Sequence, residues 1–291
     1  YQEFAPVNWC TSCDTVLANE QVKAGRCWRC NGPVQQKEMS QWFLDITKYA
    51  QELLDGLEEI QFPENVKALQ QDWLGRSEGA EIKFGIEGRD DVISVFTTRP
   101  DTLFGVTFVT LAPEHELAEI LVKGTEFESD WKELYDEITV MSEFDRIKNM
   151  GKKKGVPTGA FAIHPLTGEK VPIWVGNFVI ASYGTGAVMA VPGHDERDFD
   201  FARKYGIPIK RVLVMKEDVA ADSELKSAEV DLGWMVNSGL DGFDGLYGSE
   251  AKSAVCKLLE EKGMGKGTID WKIRPWLISR QRYWGTPIPV I

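Results

Sequence analysis

Two Cys-x-x-Cys pairs, Cys10–Cys13 and Cys27–Cys30, stand thirteen residues apart near the start of the chain. Each pair favours a tight turn that aims two sulfurs inward, and four thiolates together close a tetrahedral shell. Such a shell leaves no open position for water, so a bound Zn2+ would be structural. The only other cysteine is Cys256. Tyr1-Gln2-Glu3-Phe4 does not resemble a secretory leader, and thiolate ligands are therefore expected in place of disulfides. The bland alternative is four reduced, uncoordinated thiols. The segment has few large apolar residues beyond Val7, Trp9, Val16, Leu17, Val22 and Trp28, so a metal would contribute to its folding.

The 291 residues are 43% hydrophobic and 27% charged, which leaves room for one large domain or two to three modest ones. No apolar run approaches the roughly 18 residues of a membrane span, so no membrane partner is expected and the reading is cytoplasmic. The chain lacks an initiating Met and reads as a piece of something longer. A net charge of −12 is the wrong sign for a broad basic face on duplex nucleic acid. Any RNA contact must then be local. Lys148 with Lys152–Lys154, Arg203–Lys204, Lys210–Arg211 and the run from Lys272 to Arg282 read mostly as solvated surface. The Lys152 cluster, between Gly151 and Gly155, is the best candidate for a mobile loop that touches phosphate.

Periodicity predicts mixed α and β structure. Met39, Trp42, Phe43, Ile46, Tyr49, Ala50, Leu53, Leu54 and Leu57 recur at helical spacing and predict an amphipathic helix over about 38–60. A short helix with Val66, Leu69 and Trp73 follows, then a composition shift at Gly75–Gly79 that suggests a hinge. Beyond it, strands are expected at about 80–87, 91–98, 106–112, 159–163, 170–175, 177–181 and 186–191, with one more near 209–214. Helices are expected at about 114–122, 127–147, 195–205 and 249–262, and 216–248 reads as loop-rich. Many short strands with irregularly inserted helices argue for a β-barrel-like core decorated by helices. The expected organisation is a zinc knuckle over 1–36, a helical connector over 37–76, the barrel-like domain over 77–248, a helix and connector over 249–271, and the start of another domain over 272–291.

Two segments carry chemistry. In Phe96-Thr97-Thr98-Arg99-Pro100-Asp101-Thr102-Leu103-Phe104-Gly105, Ile93, Val95 and Phe96 are strand residues and Pro100 stops the ladder. Three hydroxyls, a guanidinium and a carboxylate thus cluster on one rigid turn, able to hold a sugar hydroxyl, an ester carbonyl and a water. Thr-Thr-x-x-Asp-Thr alone is equally an ordinary turn with an Arg–Asp pair. In the second segment, Gly184 to Phe199, an apolar strand leads through Val191-Pro192-Gly193-His194 into a helix. Asp195 is placed to cap that helix and Asp198 to lie in its first turn. Met189 and Val191 share one strand face, either as core or as an apolar wall for a substrate. Tyr183 is either a turn residue or a contact to a nucleoside. His194 with two carboxylates suggests a metallohydrolase, but the spacing lacks a convincing third ligand.

The threonine-rich decapeptide resembles the editing domains of the leucyl, isoleucyl and valyl synthetases, and the form with Asp101 and Leu103-Phe104-Gly105 resembles the leucyl branch. Gly184 to Phe199, Trp73 to Gly79, the zinc region around Asn8-Trp9-Cys10 and Leu17 to Val22, and Trp276 to Pro289 resemble further parts of bacterial-type leucyl-tRNA synthetases, which are class I enzymes. The likeness runs from end to end.

This resemblance implies a hydrolytic proofreading function on tRNA(Leu) mischarged with isoleucine, methionine or norvaline, bound at its acceptor end. It makes Thr97, Thr98, Arg99, Asp101 and Asp198 candidate catalytic residues, with Asp198 on the substrate's α-ammonium. Thr102, Met189, Val191, Tyr183, His194 and Asp195 become candidate substrate contacts, with Thr102 as the gate against leucine. The chain contains neither a His-x-Gly-His motif nor Lys-Met-Ser-Lys-Ser. ATP and Mg2+ are therefore expected to serve only the full-length ligase, with the remainder of the synthetase as partner. The competing reading is a zinc-ribbon nucleic-acid-binding module without catalysis.

Overall fold

The computed structural model describes residues 1–139, 153–181, 184–215 and 225–277. Contacts divide the chain between Arg76 and Ser77 and again between Asp270 and Trp271. One unit therefore holds both ends of the chain and the other is the segment Ser77–Asp270.

In the first unit, strands β1 (Gln2–Cys10), β2 (Thr15–Leu17) and β5 (Val34–Leu44) are joined by β15 (Trp276–Leu277) in an antiparallel sheet of order β15-β5-β1-β2. The short strands β3 (Val22–Lys23) and β4 (Arg26–Cys27) pair separately. Here the expected helix over 38–60 is corrected. Its first part is β5, paired with β1 from Gln2 opposite Trp42 to Cys10 opposite Val34. A 3-10 turn follows at Ile46–Tyr49, and only Ala50–Gly56 is α-helical. The ladder to β1 outweighs a helical spacing that has no single buried face: Gln41 is buried in this stretch while Leu44 is exposed. The next helix, Glu64–Leu74, ends on Gly75 in the left-handed region at φ 57°. A Cβ there would fall 2.4 Å from Cβ of Lys272, whose N–H donates to the carbonyls of Leu74 and Gly75. Ala50, Leu74 and Ile273 form the small core beside this turn.

The second unit is built on a seven-stranded sheet, β11-β8-β10-β9-β6-β14, with β7 also paired to β6. The strands are β6 (Arg76–Ile86), β7 (Val92–Thr97), β8 (Phe108–Leu111), β9 (Gly155–Ile163), β10 (Lys170–Gly176), β11 (Ala187–Ala190) and β14 (Gly265–Trp271). The β8–β10 pair is parallel, and the pairs β6–β7, β6–β9, β9–β10 and β8–β11 are antiparallel. The two-residue strands β12 (Leu213–Val214) and β13 (Trp234–Met235) form a separate ladder. Strand β11 packs beside β7, but among the described residues no ladder closes the sheet into a barrel. The class is mixed α and β, and the barrel-like likeness goes no further than this curl.

Helices Glu116–Val122, Glu128–Thr139, Glu196–Tyr205 and Gly248–Glu261 decorate the sheet. The main core joins Ile82, Phe84, Val95, Leu103, Phe104, Leu111 and Ile173. A second cluster gathers Phe108, Phe178, Ala190 and Phe201. Residues 177–181, expected as a strand, instead turn back after β10: Asn177 N–H donates to Lys154 and Val179 N–H to Gly176. Phe178 and Val179 supply β-forming side chains but fill the second cluster without extending the ladder. Strand β14 was not anticipated. The helix expected over 127–147 is described as far as Thr139, and its remainder lies outside the described residues. No helix among the described residues is long and apolar enough to cross a membrane.

Candidate active site

Strand β7 ends at Thr97, and Pro100 opens a buried 3-10 turn, Pro100–Gly105. Thr97 Oγ1 accepts the Arg99 N–H at 3.0 Å, and Thr98 is exposed. Thr102 is 1% exposed and donates its hydroxyl to the Arg99 carbonyl at 2.8 Å, which fixes its rotamer. Asp101 is equally buried. The Arg99 guanidinium grips its carboxylate, Nε donating at 3.1 Å to Oδ1 and Nη2 at 3.0 Å to Oδ2. A two-pronged pair of this kind is geometrically specific.

The second motif leaves β11 through Val191-Pro192-Gly193-His194. Met189 and Val191 lie in the main core and Ala190 in the second cluster, so alternation does put Met189 and Val191 on one face. Asp195 caps the helix that follows: its Oδ1 accepts the N–H groups of Arg197 at 2.8 Å and Asp198 at 3.2 Å. Burial alone would raise its pKa, but the Arg197 guanidinium and these N–H groups hold it below the ordinary value. Asp198 behaves oppositely. Its side chain is buried, accepts the Val191 N–H at 2.8 Å and faces the charge of Asp195. Burial first, and the neighbouring carboxylate second, push its pKa up to about 7.

His194 is not available to a metal. Its Nδ1 bonds the Glu229 carbonyl at 3.0 Å, and its Nε2 accepts the N–H groups of Val212 at 3.0 Å and Leu213 at 3.2 Å. That pattern assigns a neutral ring protonated on Nδ1. Burial lowers its pKa to about 4, so it stays neutral at physiological pH. His164 is used the same way, Nε2 on the Leu103 carbonyl and Nδ1 under the N–H groups of Leu166 and Thr167. His115 caps a helix by accepting the Leu117 N–H. The chain has only these three histidines, and each serves the backbone.

One contributor escaped sequence reasoning. Residues 229–231, inside the stretch read as loop, touch both motifs. Glu229 N–H donates to the Gly193 carbonyl at 2.9 Å, and Arg99 donates from Nη1 to the Val230 carbonyl at 2.7 Å and from Nη2 to Asp231 at 3.3 Å. The Glu229 carboxylate pairs with Arg211 at 3.1 Å. No periodicity or motif marks this segment in the sequence. The threonine-rich turn and the Gly193–Asp198 segment are thus tied together, with the charges of Arg99 and Asp101 both felt at His194. Tyr183 lies outside the described residues.

The four cysteines converge in the first unit. Their Sγ atoms lie within 4.8 Å of one another. The Gly32 N–H donates to Cys30 Sγ at 3.3 Å and the Cys13 N–H to Cys10 Sγ at 3.4 Å. The Gly32 N–H and the neighbouring thiols draw the Cys30 pKa down to about 6, while the hydrogen bond to Cys30 pushes Cys13 up to about 12. A set of inward sulfurs, one favouring the thiolate, is chemically fit to hold a metal ion. In the basic cluster, Lys148 and Lys152 lie outside the described residues. Lys153 pairs with Asp200 at 3.0 Å and Lys154 with Glu137.

The family model for the editing domain of leucyl-tRNA synthetase matches residues 71–260. Leucine–tRNA ligase from Nitratidesulfovibrio vulgaris (strain DP4) is 51% identical over all of this chain and 35% of its own length. The ligase of Oleidesulfovibrio alaskensis is 49% identical over the same shares. The chain spans about a third of the length of these relatives. A solved ternary complex, Agrobacterium radiobacter K84 agnB2 LeuRS-tRNA-LeuAMS, superposes with a TM-score of 0.71 at 38% identity, covering 99% of this chain and 32% of that one. A stand-alone zinc ribbon accounts for none of residues 71–260, and that alternative is set aside. The chain belongs to the leucyl-tRNA synthetase family and carries its editing domain.

Proposed function

We propose that this chain is the proofreading part of a cytoplasmic leucine–tRNA ligase and hydrolyses the ester of tRNA(Leu) mischarged with isoleucine, methionine or norvaline. The observation that carries the reading is Asp198, a carboxylate kept inside the protein with the Val191 N–H as its hydrogen-bond donor among the described residues. Burial of this kind costs free energy that the fold alone does not return, and an arriving ammonium would return it. The ion pair formed on binding favours the ionised carboxylate, so substrate itself completes the site.

A second site is needed because one methylene in an apolar pocket is worth only about 1–3 kcal/mol, and close analogues of leucine escape the synthetic step. Met189 and Val191 supply an apolar wall, and Thr102, locked by its bond to the Arg99 carbonyl, blocks leucine's γ-branch. Thr97 and Thr98 orient the ribose and ester. His194 and Asp195 shape the loop that presents Asp198, and Tyr183 meets the terminal adenosine. Among the described residues of the site no side chain is a free general base, Asp198 being committed to the ammonium, so hydrolysis proceeds by positioning and carbonyl polarisation, with the ribose hydroxyl assisting.

Cys10, Cys13, Cys27 and Cys30 would hold a structural Zn2+ that contributes folding energy to residues 1–36. Residues 37–76 act as connector, 77–248 as the editing domain, 249–271 as the returning helix and connector, and 272–291 as re-entry into the catalytic domain. The tRNA acceptor end and the remainder of the synthetase are the partners, and ATP and Mg2+ serve the synthetic site of the full-length enzyme. Isoleucyl-tRNA(Leu) presented to the full-length protein is expected to be deacylated, and Asp198→Ala to abolish it. Wild-type rates in that variant would refute the assignment.

A further inference from the structure

We infer that Arg99 is a positioning residue: together with His194 it holds residues 229–231 as a strap joining the two halves of the editing site. This deepens the function proposed above and rests on it. Three consecutive carbonyls are held by side chains of the two motifs: Glu229 by His194 Nδ1, Val230 by Arg99 Nη1, and Asp231 by Arg99 Nη2. The Glu229 N–H returns to the Gly193 carbonyl, directly before His194. Residues 229–231 belong to no strand or helix, so these bonds stand where a ladder would otherwise fix the backbone.

Donor arithmetic excludes Arg99 from much else. A guanidinium has five N–H groups in a rigid fork. Nε is given to Asp101, Nη2 to Asp101 and Asp231, and one N–H of Nη1 to Val230. At most one donor remains for a substrate. Asp101, 1% exposed, has the complementary task of fixing the fork's direction. A lysine keeps the charge beside Asp101 but cannot reach a carboxylate and two carbonyls at once. Thr102 donates to the backbone carbonyl of Arg99, which any residue at 99 supplies, so the gate keeps its own bond when the guanidinium is removed. The Arg99 side chain therefore aligns the strap with the Gly193–His194 turn, whereas Thr97 and Thr98 stay available to the ester.

The test uses Arg99→Ala and Arg99→Lys in the full-length protein. Amide hydrogen exchange over 226–233 is compared with exchange over β9 and β10, alongside kcat and KM for deacylation of isoleucyl-tRNA(Leu). Both variants are expected to raise exchange at the strap by roughly ten- to hundredfold, the loss of hydrogen bonds to a charged donor. Exchange in β9 and β10 should stay unchanged, and kcat should fall by about tenfold or more with KM within about twofold. Unchanged strap protection, or a rise in KM alone, overturns the inference and makes Arg99 a substrate ligand. If Arg99→Ala does not fold, Arg99→Lys, which keeps the buried charge paired, decides. A wild-type protein that leaves isoleucyl-tRNA(Leu) intact would sink the editing function, while the exchange result still decides the strap.

Discussion

Replacing Asp198 by asparagine is expected to stabilise the second unit at pH 8 while abolishing deacylation. Folded Asp198 keeps its proton up to about pH 7, whereas the unfolded carboxyl releases it near its ordinary value of 3.8. The folded chain thus binds the extra proton between these values. Its stability is complete below about pH 4 and is lost as pH rises through 7. A shift of about 3 units corresponds to roughly 4 kcal/mol at pH 8, a ceiling that internal relaxation brings to about 1–3 kcal/mol. Asparagine is uncharged at every pH and its amide oxygen can still accept the Val191 N–H now held at 2.8 Å. The gain should be near zero at pH 4, grow through 5 and 6, and level off above 7. Urea unfolding across this series measures it. Asp195→Asn, which keeps the cap but removes the facing charge, should move the wild-type transition to lower pH. An asparagine variant that is less stable at pH 8, or whose advantage ignores pH, would falsify the claim that Asp198 is a desolvated carboxylate.

Thr102→Ala should make the protein hydrolyse correctly charged leucyl-tRNA(Leu) and still clear isoleucyl-tRNA(Leu); untouched leucyl-tRNA in a discharge assay removes Thr102 from the gate. Metal analysis should find about one zinc per chain, lost in Cys27→Ser with deacylation kept within about twofold. A parallel collapse of hydrolysis would mean the metal is more than scaffold. Gly193→Ala should destabilise the protein by about 1–3 kcal/mol, because its Cβ would lie 2.5 Å from the backbone carbonyl oxygen of Lys210. Equal urea midpoints would show that the 193–210 approach is looser than drawn.

Local signals announced the turns and caps around the candidate site. Pro100 stopped β7 where expected, and Asp195 caps its helix through two N–H groups. The Cys-x-x-Cys spacing gathered four sulfurs because a tight turn is a short-range object. Long-range pairing was the hidden part. Residues 38–44 carry helical spacing, yet β1 lies alongside and offers a ladder nine residues long, and no window within 38–60 contains that information. Phe178 and Val179 look like strand residues for the converse reason: β-formers also fill clusters.

The histidines show why the metallohydrolase alternative, already short of a third ligand in the sequence, loses its first in the fold. His194 beside two carboxylates invites a metal, because in the sequence its nitrogens are free. In the fold both are occupied, and the atoms that occupy them come from Val212, Leu213 and Glu229, eighteen to thirty-five residues away. Arg99 shows the same long-range commitment: a guanidinium beside three hydroxyls suggests a substrate ligand, and four of its five N–H groups go to Asp101 and to two carbonyls more than a hundred residues on. The chemistry of a polar side chain is what remains after its backbone obligations are met. By that subtraction the histidine leaves no nitrogen for a metal and the arginine at most one N–H. The buried Asp198 carboxylate, with the Val191 N–H on it, has the most left over, which is why the proposed ammonium contact is assigned to it.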